Sequence, residues 1–565
     1  MKRWIALTGI VLLGIAAVVV SQRRKVDVPA SPAAILYLVA DTERELMRMP
    51  VSFVPLSDEE EIRIGDELAR AYASREERET DPNTAAVEQY LARVGQPLAG
   101  RAHRRLPYKF HYIPSSYMIN AFALPGGHVY VGAWLLSIMD SEDELAAVIG
   151  HEIEHIDHRH CAERAQQEQA LRKLPLAALM EIPIEIFEAG YSKGQELEAD
   201  REGTRLAVQA GYSANGAVRM FETFQRLYKE YQATANSPQQ ELSEVAMQTL
   251  EGYFRSHPLP SERIAQIQKL IASEGWTARP ERDLAVAYVF LNVQAQNALT
   301  EHKYAQAEQI AKRSLKLQPN QPKALEVLAQ AQFAQANFSA AAVSYRELMD
   351  VRGWTVELAD TYALALAAAN RTDAAAEFRR WMDSAKGNTY ELRAPLAGLS
   401  LLAGNSAPEK DAIAAAHAKL GEDWSPLWLG RLAWWEYLAG NYQTAADLLS
   451  EATQQRPGDA RLWVRRAWAQ IEIRRFSDAL QTANFGPSDE SVQPERRMME
   501  AVAFWQAKQP DAALGDFRTA TLTQLEWENP AWVKALYSPL VAQSVQEMKD
   551  EAERRRQKAR VAANR

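Results

Sequence analysis

Alanines recur at a fixed interval of 34 residues through the second half of this 565-residue chain. Ala307, Ala341 and Ala375 form one run, and Ala445, Ala479 and Ala513 form another with the same spacing. Three residues before each lies an aromatic or turn-forming step: Tyr304, Phe338, Thr372, Tyr442, Phe476 and Pro510. The 70 residues from Ala375 to Ala445 are two periods plus a two-residue insertion. From about residue 285 onward the chain is Ala-rich and helix-forming, with no alternating strand pattern. Such a period demands stacked helix pairs, because one pair cannot bury its apolar face without a neighbour. The small Ala lets the two helices of a pair approach, while the aromatic step fills the space between pairs. About seven repeats, six in clear register, therefore occupy 285–530, with a helical tail over 531–565.

A 34-residue helix–turn–helix period is the tetratricopeptide (TPR) signature. Pro319 and Pro457 stand where that repeat places its terminal proline, and the other repeats lack it. The resulting solenoid has a concave surface suited to a peptide or a partner protein. Eleven of the 14 Trp lie from Trp354 onward, including Trp424, Trp428, Trp434 and Trp435. Inter-repeat core is their expected place, and an aromatic recognition surface is the alternative. The basic stretch Glu553–Arg560 reads as a solvated helix end.

The first half carries different chemistry. Residues 151–155 read His-Glu-Ile-Glu-His inside a helical pattern. Two His four apart project from one helix face and can share a metal, and Glu152 can then act as general base. Ser141-Glu-Asp-Glu144 is a capping-box pattern, and Leu145, Val148, Ile149, Ile153 and Ile156 give the apolar stripe. His151, Glu152 and His155 fall at the border of that stripe, in a half-buried position. Upstream, Asn120–Val131 reads as a strand, a Pro-Gly-Gly turn and a second strand. A zinc site needs a third protein ligand. Glu196 is the expected one, in a second helix running to about Ala210, with Asp200 at i+4 orienting His151 from behind. His158 and His160 are the nearer alternatives. A metzincin pattern needs Gly and His where this chain has His158 and Cys161, so that option fails. Cys161 falls on a different face from the two His, and Glu198 faces away from Glu196 into solvent.

Taken together, Asn120–Val131, His151–His155 and Glu196–Asp200 resemble the M48 family of zinc metallopeptidases over roughly residues 55–270. The resemblance implies a gluzincin-type α+β peptidase domain with a small β-sheet, binding one Zn²⁺. It further implies that the strand Gly126, Gly127, His128, Val129, Tyr130 and Val131 is a sheet edge that pairs with extended substrate. The family's His-Pro element is matched by Ser256–Arg263. His257 there would be a regulatory fourth ligand, an oxyanion donor, or a plain loop residue before proline. The apolar segment 174–187, broken by two prolines, reads as a kinked packing helix, with a lid or membrane-facing segment as alternatives.

The fold expected overall is mainly α: 1–24 as signal peptide or anchor, 25–54 as linker, 55–275 as peptidase, and then the solenoid and tail. The N-terminal apolar run Trp4–Val20 is short for a membrane span and long for a signal core, so either cleavage or anchoring fits. Both send the protein out of the cytoplasm, to a periplasmic or other extracytoplasmic location, with membrane association through residues 4–20. A net charge of −9 gives no nucleic-acid footprint. The expected function is a zinc endopeptidase acting on misfolded or stalled envelope proteins, with the repeats recruiting polypeptide substrates or envelope-assembly partners. The alternative is a latent protease serving as a repeat-based chaperone or scaffold.

Overall fold

The computed structural model describes residues 56–75, 83–114, 120–172, 191–234, 260–386, 389–407, 410–411 and 426–563. The N-terminal apolar run, the linker, the 174–187 segment and His257 lie outside them. Among the described residues no helix is long and apolar enough to cross a membrane. Two compact units divide between Leu284 and Ala285.

The first unit opens with α1 (Asp58–Arg75) and α2 (Thr84–Ala99). Three short strands follow, β1 (Lys109–Ile113), β2 (Ala121–Leu124) and β3 (His128–Gly132), in the order β1-β3-β2. β1 runs parallel to β3 with Lys109 opposite His128, and β2 runs antiparallel with Ala121 opposite Val131. This corrects one expectation. The strand containing His128–Val131 is not an edge but the centre of the sheet, because Lys-Phe-His-Tyr-Ile at 109–113 pairs along its other side. β2 is the edge strand that faces away from β1. The turn between β2 and β3 is tight: Gly126 has φ of 77°, and a Cβ there would sit 2.5 Å from Ile62 Cα on α1. Only glycine fits both demands.

After β3 come α3 (Ala133–Ile138) and α4 (Glu142–Asp157), then α5 (His160–Arg172), α6 (Lys193–Gln209), α7 (Asn215–Thr234) and α8 (Pro260–Glu274). Ser141 caps α4, its hydroxyl accepting from Glu144 N at 3.2 Å. The Glu144 carboxylate reaches back to Asp140 N at 3.2 Å instead of to Ser141 N. Ser141 itself forms a β-bridge with Asp283, and Glu142 N donates to Arg282 O, so the cap is tied to the end of the unit. α4 is buried on nearly every face, with His151, Glu152 and His155 at 8%, 6% and 1% exposure. The half-buried position expected from its stripe is therefore a fully buried one, since α2, α6, α7 and the sheet all pack on this helix.

Among the described residues the second unit has helices and no strands. Its repeats pair α9 (Ala287–Thr300) with α10 (Tyr304–Leu317), α11 (Pro322–Ala334) with α12 (Phe338–Arg352), and α13 (Val356–Ala368) with α14 (Ala374–Ser384). α15 (Arg393–Leu402) opens a fourth repeat. Three more pairs follow: α16 (Pro426–Leu438) with α17 (Tyr442–Gln455), α18 (Ala460–Glu472) with α19 (Phe476–Phe485), and α20 (Gln493–Gln506) with α21 (Pro510–Thr523). Seven left-handed turn residues mark the joints: His302, Ala336, Asn370, Gly404, Gly440, Arg474 and Lys508. Their spacing is 34 throughout except from Gly404 to Gly440, which places the two-residue insertion there. Ala307, Ala341, Ala445, Ala479 and Ala513 are each fully buried as the fourth residue of the second helix. The third repeat departs from the pattern. α14 starts late, at Ala374, so Ala374 takes the buried place and Ala375 is only half-buried.

Trp428, Trp468 and Trp527 are completely buried, which puts these indoles in the inter-repeat core. The tail is less separate than expected. α22 (Pro530–Leu536) and α23 (Pro539–Ala563) cap the stack, with Val541, Val545 and Met548 buried in the same core as α20 and α21. Only from Glu553 is the last helix exposed, as its basic sequence indicates.

Candidate metal centre

His151 and His155 lie one turn apart on α4, and α6 lays Glu196 and Asp200 beside them. The two helices meet at Gly150 and Gly203, where a Cβ on either would come within 2.6 Å of the other's backbone. This glycine pair brings the acidic helix close enough to complete the site. Ser192 caps α6 in a reciprocal capping box with Gln195, fixing where its first turn begins.

The donor atoms of His151, His155 and Glu196 all lie within 4.8 Å of one another. His151 Nε2 is 3.0 Å from His155 Nε2 and 3.5 Å from Glu196 Oε2, and His155 Nε2 is 3.8 Å from Glu196 Oε1. Tetrahedral zinc with bonds of about 2.0–2.1 Å sets its donors about 3.3 Å apart, so this set fits after shifts of a few tenths of an ångström. Two imidazoles and a carboxylate also match zinc's ligand preference.

Behind the donors stands a second layer. His151 Nδ1 is 2.9 Å from Asp200 Oδ1, which fixes the ring with Nε2 pointing inward. Asp200 is in turn gripped by Arg263 of α8 through two bonds of 2.5 and 2.6 Å. The Arg263 guanidinium also lies 3.8 Å from Glu196 and over the Phe221 ring. His155 Nδ1 is 3.0 Å from His160 Nδ1, and His160 lies 3.6 Å from Glu198. The Tyr191 ring stacks on His155 at 4.0 Å, and its backbone N donates to Glu196 Oε1 at 3.0 Å.

Burial opposes a charged imidazole at His151, but Asp200 and Glu196 outweigh it and raise its pKa to about 10. The same negative field suits a dication. Burial also opposes the Asp200 carboxylate, yet Arg263 and His151 hold its pKa below the usual range. Burial pushes Glu152 up to about 7, in the range a general base requires. Burial lowers His160 to about 4, leaving a neutral ring beside His155.

The structure thus brings His151, Glu152, His155, Glu196 and Asp200 together. His158 pairs with Glu154 at 3.1 Å, away from the donor set, and His160 supports His155 from behind. Cys161 is buried against Ala123 O and the Tyr191 hydroxyl, and burial pushes its thiol up, so it is no ligand. Glu198 is a correction: half-exposed, it faces His158 and His160 as well as solvent. Sequence reasoning missed Arg263, Tyr191 and the supporting role of His160. The glycines inside the two helical patterns were the available signal of close approach.

A cleft opens over this cluster, lined by Asn120 and Ala121 at the start of β2, by His151 and Glu152, and by Phe221 and Phe224 of α7. A buried carboxylate beside a two-His, one-Glu donor set, under an edge strand, defines a metallopeptidase-type site. Residues 85–271 match the profile of peptidase family M48, and residues 437–503 match a tetratricopeptide repeat. The chain carries an M48 peptidase domain followed by tetratricopeptide repeats. It is homologous to a Vibrio cholerae protein assigned as a β-barrel assembly-enhancing protease, at 31% identity over 231 residues. The β-barrel assembly-enhancing protease of Escherichia coli K12 is 28% identical over 235 residues. Each alignment covers 37% of this chain and 43% of the relative, so less than half of either bacterial relative is spanned. The mitochondrial metalloendopeptidase OMA1 of Schizosaccharomyces pombe is 27% identical over 213 residues, 36% of this chain and 57% of that protein. Among solved structures, a tetratricopeptide repeat protein from Parabacteroides merdae aligns with 46% of this chain and 98% of its own, at 14% identity and a TM-score of 0.30.

Proposed function

We propose that this chain is a zinc-dependent endopeptidase of the cell envelope. The observation that carries the reading is the convergence of His151, His155 and Glu196 beside the buried Glu152 on one cleft. His151, His155 and Glu196 would hold Zn²⁺, which when bound supplies a Lewis acid that polarises the scissile carbonyl. Glu152 takes a proton from the attacking water and passes it to the leaving amine. Asp200 and Arg263 keep His151 oriented through the cycle, and His160 does the same for His155. The substrate lies extended along β2, the edge strand, with Asn120 and Ala121 on the cleft wall. Pairing to backbone groups makes recognition tolerant of side-chain identity, as a quality-control protease requires.

The repeats recruit polypeptide substrates or partners to the same chain. The bacterial relatives, named for enhancing β-barrel assembly, support misassembled or stalled envelope proteins as substrates. They also support a periplasmic or other extracytoplasmic setting, in line with the apolar N-terminal run.

The test is casein cleavage by the zinc-loaded full chain. Glu152→Gln should lose cleavage while keeping its zinc. Cleavage by that variant at the parent rate refutes the assignment.

A further inference from the structure

α23 outruns the stack that it caps. Its last fully buried side chain is Met548, and from Glu553 to Val561 every side chain is exposed. The helix continues to Ala563, so at 1.5 Å per residue an arm of about 16 Å stands clear of the core. Along it lie Arg554, Arg555, Arg556, Lys558 and Arg560 against one acid, Glu553. Five basic residues and one acidic within 553–560 give a net charge of +4, in a chain whose total is −9.

Solvation explains the exposure but not the sign or the density of this charge. Arg554 and Arg555 both pair with Glu551, at 3.0 and 2.9 Å, and Arg555 also reaches Asp511 on α21 at 2.7 Å. Arg556, Lys558 and Arg560 make no hydrogen bond or ion pair to any described residue. A helix C-terminus favours cations, but that effect is confined to the last turn, which holds Arg560 alone. Nor do the charges aid solubility, since they reduce the magnitude of a total that is already negative. Arg554 and Lys558 share one side of the helix, and Arg556 and Arg560 share the opposite side. A pocket on a folded partner meets only one of those sides. A surface of laterally mobile phosphates meets both when the arm approaches it end-on.

We propose that the Glu553–Ala563 arm is a contact for an anionic phospholipid surface, held by Arg556, Lys558 and Arg560 with Arg554 and Arg555 behind them. The basic side chains reach the phosphates while the helix stays outside the hydrocarbon, because Val561 is the one large apolar residue on the arm. The contact is separate from the apolar run at residues 4–20 and brings the repeat unit to the membrane as well. It rests on the envelope setting proposed above and not on the peptidase chemistry.

The experiment uses the full chain with Ala559→Cys carrying an NBD fluorophore. Cys161, the single native cysteine, is buried and stays unlabelled. The vesicles contain a headgroup spin label in either phosphatidylcholine alone or an equal mixture of phosphatidylcholine and phosphatidylglycerol. Quenching is expected with the anionic vesicles only, in about 0.1 M salt, and should vanish at about 1 M. Each basic residue near an anionic surface is worth about fivefold, so Arg556→Gln, Lys558→Gln and Arg560→Gln together should weaken attachment about 100-fold. The same probe at Ala376→Cys, on an exposed face of α14, should stay unquenched. Because quenching reports the position of one residue, attachment through residues 4–20 does not mimic it. Equal quenching on uncharged vesicles, equal quenching of the Ala376→Cys probe, or unchanged quenching in the triple variant overturns the proposal. Displacement of the arm by poly-glutamate at matched charge assigns it to an acidic protein and also overturns the lipid contact.

Discussion

Gly203→Ala isolates the contact on which the metal centre depends. A Cβ on Gly203 would stand 2.6 Å from His151 N, 2.7 Å from Gly150 C and 2.9 Å from His151 Cα. All three are backbone atoms of the metal helix, so no side chain can move aside. Restoring the shortest contact to an ordinary 3.4 Å requires α4 and α6 to part by about 0.8 Å. Glu196 and Asp200 ride on α6, and metal–ligand bonds tolerate only about ±0.2 Å. Zinc affinity should therefore fall by about 10–100-fold, the scale of losing an orienting group, and cleavage should fall with it. Overpacking should also cost about 1–3 kcal/mol of stability, against a helix-propensity gain of about 1 kcal/mol from Gly to Ala. Gly515→Ala is the control. Gly515 lies inside α21, and a methyl group added there would meet nothing within 4 Å, so that substitution should be neutral or stabilising. Competition with a chromophoric chelator measures zinc affinity, and thermal melting measures stability. A Gly203→Ala protein that is more stable than its parent and binds zinc equally well would refute the close approach of the two helices.

Further outcomes are expected in three places: the metal centre, the sheet and the repeats. Glu196→Ala should abolish zinc retention, and His160→Gln should weaken it by about 10–100-fold through loss of the bond to His155. His158→Ala, which lies outside the donor set, should leave retention unchanged in the same chelator assay. His111 on β1 is 3.0 Å from His128, which in turn bonds Asp66, and burial lowers its pKa to about 4. The folded state then binds fewer protons than the unfolded state, so this stability is full above pH 6.5 and is lost as pH falls toward 4. With the ring partly exposed, the loss is about 2 kcal/mol, and His111→Asn should flatten that limb in melts between pH 7 and pH 4.5. In the repeats, Ala445→Leu forces a large side chain into a fully buried joint and should cost about 1–3 kcal/mol or more, while Ala376→Leu, on an exposed face, should be near neutral in chemical denaturation.

The solenoid is legible in the sequence because its period is enforced at every repeat. Burying Ala at the fourth residue of each second helix leaves a spacing that survives even where proline has been lost. The spacing misleads at Ala375, where α14 begins late and the pattern rotates by one residue. In the peptidase domain the local signals are strong: Ser141 starts α4, and His151, Glu152 and His155 follow at fixed helical offsets. Glu196 and Asp200 share a helix face and can be placed together for the same reason. What cannot be read is whatever depends on long-range pairing. β1 is only five residues long, and its parallel partner is 19 positions away in register, so the local pattern leaves β3 looking like an edge. Arg263 and Tyr191 reach the site only through the tertiary packing of α8 and the approach to α6, which no local period encodes.

The most direct test of the metal centre is an anomalous difference map at the zinc absorption edge, from crystals of the zinc-loaded protein. One peak per chain is expected, within about 2.0–2.2 Å of His151 Nε2, His155 Nε2 and a Glu196 carboxylate oxygen. A peak coordinated by His158 or His160 in place of Glu196, or no peak at α4, would contradict the assignment.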